Sequence, residues 1–209
     1  MNTVIAVETS DLVGSTKLQA DHLVSVMKLL TQHLSRMQKT HKTIYEFYRG
    51  DGFQVMYPNI KDALRLSLST KLFLMFEPSK TVHVTQSLAC SEAKLPITTL
   101  NNRMDEAFVL SGRQLDIMSK GEISIHHFNN EASKKLMVDF FNRNINGISA
   151  KQAEVLYWYI QDDFPEHKHI ASRLNMTRQN VNAQLKRTNA DLIKRFILLF
   201  EQTTTAGKL

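Results

Sequence analysis

The chain has 209 residues, a formal net charge of +6, 43 % hydrophobic residues and a single cysteine, Cys90. This length suits one medium domain plus a small one, and the hydrophobic fraction is sufficient for a packed core. A lone cysteine excludes an internal disulfide and a metal site built from cysteine pairs. Neither a secretory signal nor an apolar run long enough to span a bilayer is evident, so we expect a cytoplasmic protein without a membrane partner.

The positive charge is concentrated towards the C-terminus. From residue 142 onward there are 10 Lys/Arg and 6 Asp/Glu, so +4 of the +6 lies in the last third of the chain. This asymmetry favours a polyanionic partner for the C-terminal part.

The first half of the chain alternates between strand and helix patterns. Residues 3–9, TVIAVET, predict a buried strand, which SDLVGST follows as a loop. Apolar residues at spacings of three to five then predict an amphipathic helix over 18–37. TIYEFY and FQVMY alternate like strands on either side of Arg49-Gly50-Asp51-Gly52, a strong hairpin signal. A second helix is predicted over 61–76.

The pattern continues with a strand in TVHVTQSLAC, a loop in LPITTLNN, a helix in MDEAFVLSGRQLDIMS and a short strand in GEISIHHF. The resulting order is βαββαβ with additions, a ferredoxin-like α+β sandwich with helices on one face of a mostly antiparallel sheet. One more helix follows, and Asn146-Gly147 marks a break. We therefore expect an α+β domain over 1–146 and an all-α domain over 147–209.

The C-terminal segment has clear helix-start signals. Ser149 and Gln152 form an S-x-x-Q capping box, so a helix is predicted to open at 149. Asp162-Asp163-Phe164-Pro165 ends it, and a short helix is predicted over 167–174. Thr177 can then cap a second short helix.

The spacing of Ala171, Asn175 and Val181 is typical of two helices joined by a tight turn. This segment resembles the helix-turn-helix of bacterial regulators, closest to the LuxR-type and sigma-factor versions. The resemblance implies that the second helix enters the major groove of double-stranded DNA. The alternative is a three-helix bundle with a solvated polar face. The residues expected to face DNA are Thr177, Arg178, Gln179, Asn182, Lys186 and Arg187.

Three N-terminal pieces, SDLVGST, RGDGFQV and DEAFVLSGRQLD, occur in this order. Together they resemble the class III nucleotidyl cyclase domain, and most of all the SatD family, in which a comparable cyclase-like domain precedes a helix-turn-helix. The resemblance implies that Asp11 and Asp51 are metal-binding carboxylates, suited to Mg²⁺ or Mn²⁺ with a nucleotide. It also implies a nucleotide contact from Gly14, Ser15, Thr16 and Arg113.

Two of these residues have equally simple structural interpretations. Asp11 is also suited to an Asx turn before a helix. Arg113 is also explained as a surface arginine or as a partner of Asp116.

The chain departs from the catalytic cyclase pattern at two positions. Val109 stands where the pattern has an asparagine four residues before the arginine, and Glu46 stands where it has a purine-reading lysine. Without these groups, the positioning and electrostatic contributions to phosphoryl transfer are largely missing. We therefore assign no catalytic residue and favour a protein that is not an enzyme.

The sequence as a whole favours a sequence-specific, DNA-binding transcriptional regulator with a degenerate cyclase-like domain. Because cyclase-type domains build their sites at a dimer interface, the resemblance implies a homodimer that reads paired half-sites. Two alternatives stay open. One is a metal-dependent nucleotide-binding protein or cyclase-type enzyme, and the other is an adaptor that binds the transcription machinery.

Overall fold

The computed structural model describes residues 2–48, 50–101, 103–129 and 131–205. Arg49 of the predicted hairpin lies outside the described residues. The predicted βαββαβ order is confirmed. Its elements are β1 (Asn2–Leu12), α1 (Ala20–His41), β2 (Ile44–Tyr48), β3 (Gly52–Tyr57), α2 (Ala63–Phe76), β4 (Val84–Lys94), α3 (Glu106–Ile117) and β5 (Ile123–Ile125).

The strands form one sheet in the order β2-β3-β1-β4-β5. β1 lies in the centre and pairs antiparallel with β3 on one side and with β4 on the other. β2 and β3 form the predicted hairpin, and among the described strands only β5 runs parallel to its neighbour, β4. The sheet is thus mostly antiparallel, as predicted.

Helices cover both faces of the sheet, so the expectation that they lie on one face was wrong. Ala6 and Leu12 of β1 point to the face that packs on α1 and α2. Ile5 and Val7 point to the opposite face and pack with Ala107 of α3. Side chains alternate along a strand, so a central strand buried on both faces reads as a continuous apolar run. The run in TVIAVET gave no indication of which helix covers which face.

Two element ends also differ from the sequence prediction. β1 extends to Leu12 because its ladder with β4 continues to the Leu12–Val84 pair. β5 ends at Ile125, and His126 begins α4 (His126–Asn129), so the short strand predicted in GEISIHHF occupies only part of that segment.

A buried lysine ties α2 to the sheet. The side chain of Lys71 is fully buried, and its Nζ donates to the carbonyl oxygens of Val84 at 3.0 Å and Gly121 at 2.6 Å. Burial lowers the pKa of Lys71 from 10.5 to about 8. The ammonium stays charged at neutral pH because the two carbonyl oxygens accept its protons and the negative charges of Glu122 and Glu8 oppose the lowering of its pKa.

The C-terminal part is helical, as predicted. Ser149 and Gln152 form the predicted capping box, and Thr177 accepts from the amide of Asn180 as the predicted N-cap. Asn175 has the positive φ, 49°, expected of the turn residue. The helices are α5 (Ala132–Asn146), α6 (Ala150–Gln161), α7 (His167–Arg173), α8 (Arg178–Arg187) and α9 (Ala190–Thr205).

An aromatic cluster joins α6 to the α+β part. Tyr157 of α6 lies 5.3 Å from Phe76 and 6.1 Å from Phe73, ring centroid to ring centroid. His33 of α1 stacks on Phe73 at 4.5 Å. A single apolar core thus runs from the sheet into α6. The expected boundary between residues 146 and 147 stays a prediction.

The last helix is amphipathic, and it uses its apolar residues in two ways. Phe196 and Phe200 are buried, whereas Leu192 and Leu199 are 58 % and 39 % exposed. α9 therefore closes the helical part with one face and presents apolar side chains at its edge. Within the described residues, every helix is too short or too polar to cross a membrane.

We predict that His33 makes the fold sensitive to acid. Its side chain is buried, and burial lowers its pKa from 6.5 to about 3. The unfolded chain takes up the proton first, so the stabilisation from neutral His33 is complete above about pH 6.5 and is lost as the pH falls towards 3. The full shift corresponds to about 5 kcal/mol.

The measurement is the free energy of unfolding in urea between pH 6.5 and 4. His33→Phe keeps a ring on Phe73 but cannot take up a proton, so its stability should fall less with pH than that of the wild type. His169→Phe, at an exposed position of α7, is the matched control. An equally steep decline in His33→Phe and wild type would contradict the prediction.

Candidate functional site

A polar cleft of about 510 Å³ opens on the face of the sheet that α3 covers. β1 and the β2–β3 hairpin form one wall, and α3 with the segment before it forms the other. Three carboxylates and two cationic side chains lie around it, which is the charge pattern of a site for a polar ligand. The charged lining residues are Asp11, Asp51, Arg103, Asp116 and Lys120.

One predicted metal-binding carboxylate lies in β1, and the other lies in the turn between β2 and β3. Asp11 pairs with Gly52 in the β1–β3 ladder, and Asp51 precedes Gly52 in the hairpin turn. The sequence predicted Asp11 after the strand, but it lies within β1. It therefore does not form the helix-preceding Asx turn considered as the alternative. Its side chain points to the cleft because it shares its parity with Thr9 along β1.

Each carboxylate already has a partner from this chain. The hydroxyl of Ser15 donates a hydrogen bond to the carboxylate of Asp51. Lys120 places Nζ 3.3 Å from Oδ2 of Asp11, and its side chain is 65 % exposed. An exposed lysine exchanges such a partner at little cost. Lys120 thus balances the charge of Asp11 without blocking the cleft.

The donor set fits a hard divalent cation only in part. Two carboxylates that line the same cleft are suitable ligands for Mg²⁺ or Mn²⁺. No group of three or more His, Cys, Asp or Glu side chains suited to a metal exists among the described residues. A metal held by Asp11 and Asp51 would therefore need further oxygen ligands from a bound phosphate or from water.

The other predicted nucleotide contacts lie outside the cleft lining. Gly14 and Thr16 are exposed, and Ser15 is buried against Asp51. The loop also does not lead directly into α1, because a short 3-10 helix, Ser15–Lys17, intervenes. Arg113 is exposed on α3 and forms no ion pair with Asp116 among the described residues. These four residues stay predicted nucleotide ligands.

Sequence reasoning missed both cationic side chains of the cleft. Arg103 pairs with Asp105 at 2.7 Å, and the arginine holds the pKa of that carboxyl below its usual value. Its guanidinium also lies 5.6 Å from the ring centroid of Phe108. Arg103 and Lys120 are distant from Asp11 in sequence and belong to no recognised motif. Only the tertiary fold brings them to the cleft.

Glu46, which stands in place of a purine-reading lysine, has a structural role. Its two carboxylate oxygens accept the backbone amides of Leu100 and Asn101, each at 2.9 Å. Leu100 and Asn101 line the cleft. Glu46 thus fixes one wall of the cleft and is not available to a ligand. Val109 is half-buried outside the lining.

The second candidate site is the surface of α8. Thr177, Arg178 and Gln179 are exposed at its N-terminal end, and Lys186 and Arg187 are exposed at its C-terminal end. Asn182 is half-buried between them. Val181 and Leu185 are buried and hold the opposite side of α8 on the other helices. α8 contains no acidic residue, so its outward surface is cationic and polar.

Comparisons with known proteins are limited to structure. No protein-family model matches the chain, and no curated protein sequence matches it. The solved structure of the guanylyl cyclase Cya2 is similar with a TM-score of 0.48 and 17 % identity, over 60 % of this chain and 75 % of that one. The guanylate cyclase domain of RhGC from Catenaria anguillulae, in complex with GTP, gives 0.47 and 12 %, over 60 % and 79 %.

The adenylyl cyclase CyaB from P. aeruginosa gives a TM-score of 0.46 and 13 % identity, over 67 % of this chain and 82 % of that one. At TM-scores below 0.5 and identities of 12–17 %, these similarities assign neither a family nor an activity to this chain. The SatD resemblance stays a prediction.

We predict that Glu46→Ala loosens the cleft wall without unfolding the sheet. Both amides lose a charged acceptor, and hydrogen bonds to charged groups are worth about 1.5–3 kcal/mol each. Hydrogen exchange at Leu100 and Asn101 should accelerate by roughly 10-fold or more. Glu46→Gln keeps one carbonyl acceptor and should give a smaller effect. Unchanged exchange at both amides in Glu46→Ala would contradict this role.

Proposed function

We propose that the protein is a sequence-specific DNA-binding regulator that contacts double-stranded DNA through α8. The observation that carries the proposal is the α7–α8 pair. A tight turn with a positive-φ Asn175 joins two short helices, and α8 presents an exposed surface with no acidic residue. A helix held this way on a helical support is the arrangement that docks in the major groove.

The exposed side chains divide into two groups. Arg178 and Gln179, at the N-terminal end of α8, are suited to bidentate contacts with guanine and adenine edges. Lys186 and Arg187, with the Thr177 hydroxyl, are suited to phosphates. Asn182 lies between these groups and adds a polar contact in the middle of the helix. Loss of a base contact and loss of a phosphate contact have different effects on DNA binding, so the two groups can be separated experimentally.

The proposal includes a cytoplasmic homodimer that reads paired half-sites. In the bacterial regulators that the C-terminal part resembles, two copies of such a helix bind half-sites about one DNA turn apart. The α+β part is the proposed dimerisation domain, as the resemblance to the cyclase-like SatD family implies. The packing of Tyr157 against Phe73 and Phe76 supports a mechanical connection between the two parts.

The predicted effect of substitutions on DNA binding is specific to each group. Gln179→Ala should relax the sequence preference and reduce specific affinity by about 1–3 kcal/mol. Lys186→Ala should weaken binding to all sequences uniformly and lower the salt slope by about 1. The measurement is selection and sequencing of bound DNA, followed by binding titrations at several salt concentrations.

The matched control is Lys28→Ala, which removes the same charge from an exposed position on α1. It should leave affinity and salt slope unchanged. Sites that persist at physiological salt and show two-fold symmetry would support both the regulator and the dimer. Binding that only fades with salt, or binding that survives Gln179→Ala and Lys186→Ala unchanged, would contradict DNA recognition by α8 and favour an adaptor role.

A second function is favoured by the adjacent carboxylates of the cleft. Asp11 and Asp51 could hold Mg²⁺ or Mn²⁺ together with the phosphates of a nucleotide, with Arg103 and Lys120 as additional phosphate contacts. The missing asparagine and lysine argue for nucleotide binding instead of turnover. A cyclase-type enzyme is the alternative interpretation of the same pair.

We predict that Mn²⁺ binding with ATP or GTP depends on Asp51. Asp51→Asn should weaken Mn²⁺ binding in the presence of nucleotide, because one of two charged ligands is lost. Lys120→Gln should strengthen binding of Mn²⁺ alone, because the competing ammonium is removed from Asp11. Both are measured by electron paramagnetic resonance of free Mn²⁺, with Asp21→Asn on α1 as the control. Mn²⁺ binding that is the same with and without nucleotide in every variant would contradict the proposal. Formation of a product from the nucleotide that Asp51→Asn abolishes would favour the enzyme.

A further inference from the structure

A large apolar groove lies between α5 and α9, on a different part of the molecule from the cleft. Its volume is about 1040 Å³, which is at the upper end of ligand pockets in proteins. Phe141 of α5 and Phe196 of α9 stack at its floor, with ring centroids 4.7 Å apart. Its sides include Phe140, Leu192 and Leu199, which are 68 %, 58 % and 39 % exposed.

The rim of this groove is cationic. Its lining contains Arg143, Arg187 and Arg195 but no aspartate or glutamate. Within the part of the chain that the structure describes, none of these arginines forms an ion pair with a carboxylate. A guanidinium group presents a planar fork of donors that matches a carboxylate or phosphate. An apolar floor with arginines at its edge therefore complements a molecule with an apolar body and an anionic head.

A second copy of this chain is a poor occupant of the groove. A two-fold interface places the same surface against itself. The joined patch would then contain the three arginines of each copy and no carboxylate from the lining, and like charges at an interface cost free energy. A membrane surface is also a poor occupant, because the apolar side chains form a concave groove between two helices instead of a protruding face.

We propose that the α5–α9 groove binds a free long-chain carboxylate. The acyl chain would lie against Phe140, Phe196 and Leu199, and the carboxylate would pair with the arginines of the rim. An acyl chain gains free energy by covering the exposed apolar side chains of this groove, and the carboxylate supplies a negative charge that the lining lacks. This binding does not depend on the DNA-binding proposal.

One consequence does rest on the proposed function. Arg187 belongs both to the groove lining and to the phosphate contacts proposed for α8. Asn144 of α5 donates to the carbonyl of Thr188 at 2.8 Å and accepts from Asn189 at 2.8 Å, so the groove is fixed to the turn that follows α8. A carboxylate that occupies Arg187 withdraws one phosphate contact, so the bound ligand lowers DNA affinity.

The experiment measures binding of hexadecanoate, below its aggregation concentration, to the full chain by calorimetry without DNA. Phe140→Asp places a carboxylate in the groove and should weaken binding by about tenfold or more. Leu136→Asp, one turn earlier on α5, exposed and outside the lining, is the matched control and should bind as the wild type does. Arg143→Gln should weaken binding by about tenfold, and Lys135→Gln is its control.

Five results would overturn the proposal. The first is equal binding of the uncharged methyl ester of hexadecanoate, and the second is an equal loss of hexadecanoate binding in Phe140→Asp and Leu136→Asp. The third is binding to phosphatidylglycerol vesicles but not to the monomeric carboxylate. The fourth is dimerisation that Phe140→Asp abolishes in a protein that does not bind hexadecanoate. An acidic amphipathic peptide that binds where hexadecanoate does not would also overturn it. If hexadecanoate binds as expected but DNA affinity is absent throughout, the groove stands and the DNA-binding proposal fails.

Discussion

The alternation of side chains along β1 is the constraint on which both faces of the α+β part depend. β1 pairs with β4 along its whole length and with β3 from Ala6 to Asp11, so its register is determined from both sides. Glu8 then faces α2, and Asp11 faces the cleft beneath α3. A shift of one residue would turn Asp11 towards the core beneath α2 and would move Glu8 away from its hydrogen-bond donors. The position of the candidate metal ligand is thus a consequence of core packing.

The polar cluster around Glu8 explains why that register is specific. Glu8 is fully buried and accepts from Ser10, Tyr57 and Gln86, the last at 2.9 Å. Gln86 in turn donates to the carbonyl of Ser67 in α2 at 2.8 Å. A buried carboxylate without these donors is strongly destabilising. The cluster therefore stabilises one pairing of β1, β3, β4 and α2 over its neighbours, although it adds little net free energy.

Local sequence signals predicted the helices and strands well, but they did not predict which face of the sheet each helix covers. The hairpin around Gly50 and Gly52, the Ser149 capping box and the Asn175 turn follow from backbone chemistry within a few residues, and each is confirmed. The cleft was predictable only through Asp11 and Asp51. Arg103 and Lys120 were missed, because long-range packing brings them there. The role of Glu46 was also missed, because its partners are backbone amides more than fifty residues away.

α6 contacts α2 through aromatic rings, whereas α5 contacts the turn after α8 through hydrogen bonds. Tyr157 joins α6 to α2 through rings, a contact that tolerates small sliding movements. Asn144 joins α5 to the turn after α8 through directional hydrogen bonds, which do not. Asn142 of α5 makes the same kind of contact with the sheet, because its side-chain amide accepts from and donates to the backbone of Ile123 in β5, each at 2.8 Å. A change in the spacing of α5 and α9 is therefore transmitted both to β5 and to the end of α8. The α5–α9 groove lies beside the helix that carries both contacts.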